Sequence, residues 1–151
     1  MTTHQLGRLR SVRDLRLNVA ERKLREARKA TRAARDELAR QQERLEAIDR
    51  EQRELRDGCG DGAFRCGQEL MTVQERLRAL GRARQAQEKR VGEARAALER
   101  AQTQEAEASR GYRAQERRLE GVDQQLETVR ARERRARAGR ARRGCRRGSA
   151  C

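Results

Sequence analysis

Apolar residues recur alternately every three and four positions in two long stretches, and this spacing restricts the fold more than any other feature of the sequence. The first stretch, 17–55, has apolar residues at nine of its twelve repeat positions. The second, 70–129, has them at fourteen of eighteen. A seven-residue repeat places a narrow apolar seam along a helix, and burying that seam requires a partner helix. The sequence therefore predicts two helices that pair through their seams.

Composition also favours long helices over a compact globular domain. Of the 151 residues, 42% are charged and 1% aromatic, and there is no proline. Bulky apolar side chains are too few to fill the interior of a globular domain of this length. Disorder is the alternative for so polar a chain, but disorder does not require apolar residues at fixed intervals. We therefore expect an all-α fold.

A glycine-rich segment, 57–67, separates the two stretches. It contains four glycines, and each costs about 1 kcal/mol relative to alanine inside a helix. We therefore expect a long two-helix antiparallel coiled-coil hairpin, with helices over 8–56 and 68–138 and a turn over 57–67. If Arg56 faces Gln68, the numbers of facing residues sum to 124.

This pairing leaves the end of the second helix without a partner helix. The N-terminal end of the first helix, residue 8, would face residue 116, whereas the seam of the second helix continues to residue 129. We expect the unpaired seam to form an exposed apolar stripe that binds a partner protein, with self-association or a shifted register as the alternatives. The residues of this predicted stripe are Leu119, Val122, Leu126 and Val129.

Positive charge is the second strong feature of the sequence. The formal net charge is +15, and the block 130–147 alone carries +9. Gly139, Gly144 and Gly148 interrupt the helical pattern in and just after this block, so we expect residues 139–151 to form a flexible Arg-rich tail. Charge of this size predicts an acidic partner surface, although a GC-rich coding bias also explains the preference for Arg. The tail-proximal residues expected to bind the partner are Arg134, Arg135 and Arg137.

The sequence lacks the patterns of common catalytic, metal and cofactor sites. Its four cysteines include no C-x-x-C pair, and its single histidine, His4, lies far from them, so we expect free thiols and no metal. Cys59 and Cys66 flank one turn and could form a disulfide under oxidising conditions. A phosphate-binding glycine loop is also missing. We expect no enzyme and no cofactor.

Charge alone would also suit a nucleic-acid-binding protein. A basic helix can lie along phosphates, but base stacking needs aromatic residues, and only Phe64 and Tyr112 are available. We therefore expect no nucleic acid as partner and keep that function as an alternative. No stretch is apolar enough to span a membrane, and residues 1–7 lack the apolar core of a secretory signal, so we expect a cytoplasmic protein.

The N-terminal residues resemble the opening of a known family. The run 9–22 fits the pattern L-x-x-V-[KR]-x-L-R-x-x-x-A-E-[KR]. It resembles the start of the YscO (SctO) stalk proteins of bacterial type III secretion systems, which are related to the flagellar protein FliJ. The size of the chain, its two predicted helices, its polar turn and its lack of proline are similar too. The glycine–cysteine turn and the Arg-rich tail depart from the family.

The resemblance implies a non-catalytic central stalk. Such a stalk inserts into the hexameric secretion ATPase, stimulates it and couples it to the cytosolic domain of the export gate; some family members also bind secretion chaperones. We accordingly expect a monomer at the cytosolic face of the secretion apparatus, on the inner membrane. A generic coiled-coil scaffold is the alternative. The residues of the run expected to contact a partner are Leu9, Val12, Arg13 and Arg16.

Overall fold

The computed structural model describes residues 1–60, 62 and 67–148, with side chains described up to residue 141. It contains two helices, α1 (Thr3–Gly60) and α2 (Gly67–Gly148), and no strand within the described residues. Both helices consist mainly of Ala, Arg, Glu, Gln and Leu, which are strong helix formers. They pack against each other as an antiparallel pair, which confirms the predicted all-α hairpin.

The chain divides into two compact units, each made from a segment of both helices. Unit 1 comprises Met1–Glu26 and Ala106–Cys151, so it contains both chain ends. Unit 2 comprises Ala27–Glu105 and contains the connection between the helices.

The N-terminus of α1 is fixed by a capping box. The backbone N–H of Gln5 donates to Thr2 Oγ1 at 3.3 Å, and the backbone N–H of Thr2 donates to Gln5 Oε1 at 2.9 Å. This reciprocal pair satisfies backbone donors that the first helical turn leaves unpaired. The helix therefore begins at Thr3, earlier than the predicted residue 8.

The other helix boundaries also differ from the predicted ones. α1 continues through Gly58 to Gly60 instead of ending at residue 56, and α2 continues through Gly139 to Gly148 instead of ending at 138. Single glycines cost too little to stop a helix whose neighbouring residues are strong helix formers. Residues 139–148 of the predicted tail are thus helical, and 149–151 lie outside the described residues.

Within the predicted turn 57–67, the described residues are helical except Gly62. Gly62 has a φ of 68°, in the left-handed region that glycine enters without steric cost. The remaining positions, 61 and 63–66, lie outside the described residues.

The core of unit 2 lies along the predicted seams. Among its described residues, three buried ones belong to α1 and six to α2, and all nine occupy predicted seam positions. Four are polar, because the sequence places Thr or Gln at those points of the repeat. The buried residues of this unit are Thr31, Gln41, Gln52, Val73, Leu80, Gln87, Val91, Ala94 and Ala101.

Unit 1 has a smaller buried core. Leu24, Val122 and Leu126 are buried seam residues, as predicted. Leu6 is also buried and continues the repeat of α1 upstream of Leu17, where no seam was predicted. Its burial means that the first turns of α1 pack against α2.

The register of the helix pair differs from the predicted one. Among the described side chains, four ion pairs link α1 to α2, and the numbers of the paired residues sum to more than 124: to 127 in one pair and to 133 in three. The shift arises because the helices extend into the glycine-rich segment, which moves the centre of the hairpin toward the C-terminus. The pair that sums to 127 is Arg76 with Glu51, and the other three are Arg10 with Asp123, Arg28 with Glu105, and Arg84 with Asp49.

Candidate partner-binding site

The stripe predicted to be exposed on α2 is covered by α1. Val122 and Leu126 are only 7% and 5% exposed, and Leu119 and Val129 are half-buried. The prediction that this stripe is exposed was therefore wrong, and binding of a partner by its four residues stays a prediction. The shifted register and the early start of α1 together account for the error.

Polar contacts beside the stripe show which part of α1 covers it. Arg10 Nε donates to Asp123 Oδ1 at 2.6 Å, and the Thr3 hydroxyl donates to the Glu133 carboxylate. Both contacts lie on the exposed side of the pair, so they contribute little to stability and mainly fix the register.

The residues of the YscO-like run are divided between the seam and the surface. Leu9 and Arg13 are half-buried, whereas Val12 and Arg16 are exposed. Arg13 Nε is buried without a hydrogen-bond partner. The run therefore includes a surface face, and Val12 is its apolar member among the predicted contact residues.

An apolar stripe that the heptad repeat did not predict lies on this face. Val12, Leu15 and Val19 are 46%, 66% and 52% exposed, although bulky aliphatic side chains usually pack in a core. Their spacing of three and four places them on one side of α1, over about 10 Å at 1.5 Å per residue. We call these three residues the N-terminal stripe. Leu15 and Val19 were detectable in the sequence as a second apolar repeat beside the seam.

A groove runs along the N-terminal stripe between the two helices of unit 1. Its volume is about 570 Å³. The residues at its base are small on both helices, and a Cβ added at Gly111 would meet no atom within 4 Å. The space exists because alanine and glycine stand where larger residues would fill the helix pair. The groove is lined by Val12, Leu15, Arg16, Val19, Ala20, Lys23, Glu107, Ala108, Gly111 and Gln115.

The groove lies in the more basic of the two units. Unit 1 has 21 Lys and Arg against 9 Asp and Glu, a net charge of +12, whereas unit 2 has 18 against 15, a net charge of +3. Arg16 and Lys23 line the groove, and neither makes an ion pair among the described side chains; Glu107 is the acidic residue in the lining. This surface is therefore suited to a partner that is both apolar and acidic.

The predicted basic contacts near the C-terminus are exposed. Arg134, Arg135 and Arg137 all lie on the surface of α2, and none makes an ion pair among the described side chains. They remain available to an acidic partner, but they do not line the groove that contains the N-terminal stripe.

Hydrogen bonds shift the pKa of three surface residues of unit 2. Hydrogen bonds from Gln41 and Arg40 lower the pKa of Glu37, and the hydrogen bond to Glu37 raises the pKa of Arg40. The hydrogen bond to Asp49, with the charge of Glu88, raises the pKa of Arg84. These shifts follow from ion pairing on an exposed helix surface, not from a desolvated cleft.

The described residues contain no group of His, Cys, Asp and Glu placed to hold a metal ion, and Cys59 among them is a free thiol. Cys66, Cys145 and Cys151 lie outside the described side chains. Neither α1 nor α2, within the part of the chain described, has a segment long and apolar enough to cross a bilayer.

Comparison with known proteins gives no relative: no family model, no curated protein and no solved structure matches the chain.

Proposed function

We propose that this chain is a non-catalytic central stalk of a bacterial type III secretion system, which inserts into the hexameric secretion ATPase, stimulates it and couples it to the export gate. The observation that carries the proposal is that the YscO-like run 9–22 lies on α1 of an antiparallel hairpin and contains a stripe of exposed apolar residues. A two-helix hairpin is the architecture that the resemblance implies for such a stalk.

Charge and chemistry are compatible with this role. A net charge of +15 would steer the chain toward an acidic ring lumen and raise the rate of association at low salt. A stalk that acts by contact needs no catalytic residue of its own, because the ring supplies the nucleotide sites. We place the chain at the cytosolic face of the secretion apparatus as a monomer, with secretion chaperones as further partners.

Phosphate release by a hexameric secretion ATPase, with and without this chain, tests the proposal. We expect stimulation by the wild-type chain and none by Leu24→Pro, because proline inside α1 removes a backbone hydrogen bond and costs ~3 kcal/mol or more. Leu24→Met is the matched control. Methionine conserves the volume of the buried side chain and the helix, so this variant should stimulate normally.

A basic nucleic-acid-binding protein and a generic coiled-coil scaffold are the rival functions. Tight binding to DNA or RNA, together with no stimulation at saturating concentrations, would replace the stalk with the first of these. If the chain neither stimulates the ATPase nor binds nucleic acid, the generic coiled-coil scaffold is the remaining function.

A further inference from the structure

We infer that the N-terminal stripe and its groove bind an amphipathic helix of a partner protein that carries acidic residues beside its apolar face. The inference goes beyond the stalk function, because it concerns what this surface of unit 1 recognises and would hold for a hairpin with any other role. It commits to one class of occupant, a helix with apolar anchors and acidic flanks.

The geometry of the surface suits a helix. Val12, Leu15 and Val19 follow one side of α1 for about 10 Å, and Lys23 extends the groove to about 16 Å at 1.5 Å per residue. That length matches two to three turns of a partner helix, whose anchors would recur at the same spacing. The groove of about 570 Å³ has room for such anchors beside the small residues Ala108 and Gly111.

Charge decides between the possible occupants. A second copy of this chain would bring one net charge of +12 against another, and this repulsion opposes self-pairing through unit 1. Nucleic acid would neutralise Arg16 and Lys23, but phosphates would leave three exposed aliphatic side chains without an apolar partner. An acidic amphipathic helix satisfies both the charge and the apolar stripe.

An unpaired polar atom lies in the lining of the groove. Gln115 Oε1 is buried without a hydrogen-bond donor. Buried polar atoms in native proteins are nearly always hydrogen-bonded, so this oxygen is a site where a partner could supply a donor.

The test uses two synthetic helical peptides of roughly five turns, with Leu at the anchor spacing and either Glu or Lys at every flanking position. Binding to the full chain is measured by fluorescence anisotropy at low and high salt. We expect the Glu peptide to bind at least about ten-fold more tightly than the Lys peptide, with affinity that falls as salt rises.

Matched variants locate the binding surface. Val12→Gln with Leu15→Gln and Val19→Gln should weaken binding of the Glu peptide about ten-fold or more, with unchanged helicity because these residues are already exposed. Arg16→Gln with Lys23→Gln should reduce the salt dependence of the affinity for the Glu peptide. Leu70→Gln with Met71→Gln removes two equally exposed apolar residues from unit 2 and should leave binding unchanged.

Four results would overturn the inference. Equal binding of both peptides would show that charge does not select the occupant. An unchanged Kd for the stripe variant would place binding elsewhere. The third result is that the Glu peptide fails to bind, while the stripe variant abolishes either self-association or binding to anionic lipid vesicles. Loss of self-association would assign the surface to a second copy, and loss of vesicle binding would assign it to a membrane. ATPase stimulation without peptide binding would refute this inference alone, and peptide binding without stimulation would refute the stalk alone.

Discussion

Unit 1 and unit 2 are built from the same repeat, but they differ in how completely each satisfies its own polar groups. In unit 2, Gln87 Nε2 donates across the helix pair to the Gln41 carbonyl oxygen at 2.8 Å and to Gln41 Oε1 at 2.7 Å. Gln41 Nε2 in turn donates to Glu37 Oε1 at 2.5 Å. In unit 1, by contrast, Arg13 Nε and Gln115 Oε1 are buried without partners.

The two units also differ in their surface ion pairs and in net charge. In unit 2, three ion pairs between described side chains join α1 to α2, and the net charge is +3. Unit 1 has one such pair, Arg10 with Asp123, among its described side chains, and its net charge is +12. Exposed ion pairs contribute only about 0 to 1 kcal/mol each, so the difference concerns recognition more than stability. One heptad repeat thus gives a segment whose buried polar groups are paired across the helices and a segment with an open, basic groove.

The largest expected effect distinguishes buried from exposed apolar residues within unit 1. Leu126→Asp places a carboxylate in the core and should lower the free energy of unfolding by about 3 to 5 kcal/mol. Leu15→Asp alters an exposed side chain and should change it by less than about 1 kcal/mol. Urea unfolding followed by circular dichroism measures both. Similar small effects for the two variants would favour the register with an unpaired α2 over the observed one.

The buried glutamine pair of unit 2 gives the next effect. Gln87→Ala leaves the polar atoms of Gln41 without their partner and should destabilise the chain by about 1 to 3 kcal/mol. Leucine at both positions removes the unpaired atoms and should be neutral or stabilising. Gln74→Ala, at an exposed position of α2, is the control. Equal thermal midpoints for Gln87→Ala and Gln74→Ala would show that the pair contributes nothing.

The smallest expected effect is a pH dependence from Glu37. Its pKa is lowered in the folded chain, so the stabilisation is present above the ordinary value of 4.5 and is lost as pH falls through the folded value. Thermal unfolding between pH 6 and about 3 should therefore show a small decrease in Tm that Glu37→Gln reduces. Glu43→Gln, at an exposed position with no ion pair among the described side chains, should leave the decrease unchanged. An identical pH profile for wild type and Glu37→Gln would contradict this contribution.

The seams were predictable because burial follows the repeat directly. Every buried residue of unit 2, including the polar Thr31 and Gln87, lies at a predicted seam position. The register was not predictable in the same way, because a seven-residue repeat matches itself after each shift of one heptad. The length of the glycine-rich connection decides between registers, and glycine only weakly limits a helix.

Two missed features had signals in the sequence. Thr2 and Gln5 have the spacing of a capping box, which predicts a helix that begins at Thr3. Leu15 and Val19 form an apolar repeat beside the seam, and a reading that assigns apolar residues only to the seam overlooks it. The groove could not be predicted from the sequence alone, because it depends on which small residues of α2 lie opposite Ala20.

We propose that the functional surface of this chain lies in unit 1. Phosphate release by a hexameric secretion ATPase is measured with the wild-type chain, with the stripe variant (Val12, Leu15 and Val19 to Gln) and with the unit 2 control (Leu70 and Met71 to Gln). We predict stimulation by the wild-type chain and the control, and at least a ten-fold higher concentration of the stripe variant for the same effect. Equal stimulation by all three, or loss of stimulation in the control alone, would show that the functional surface lies outside the N-terminal stripe.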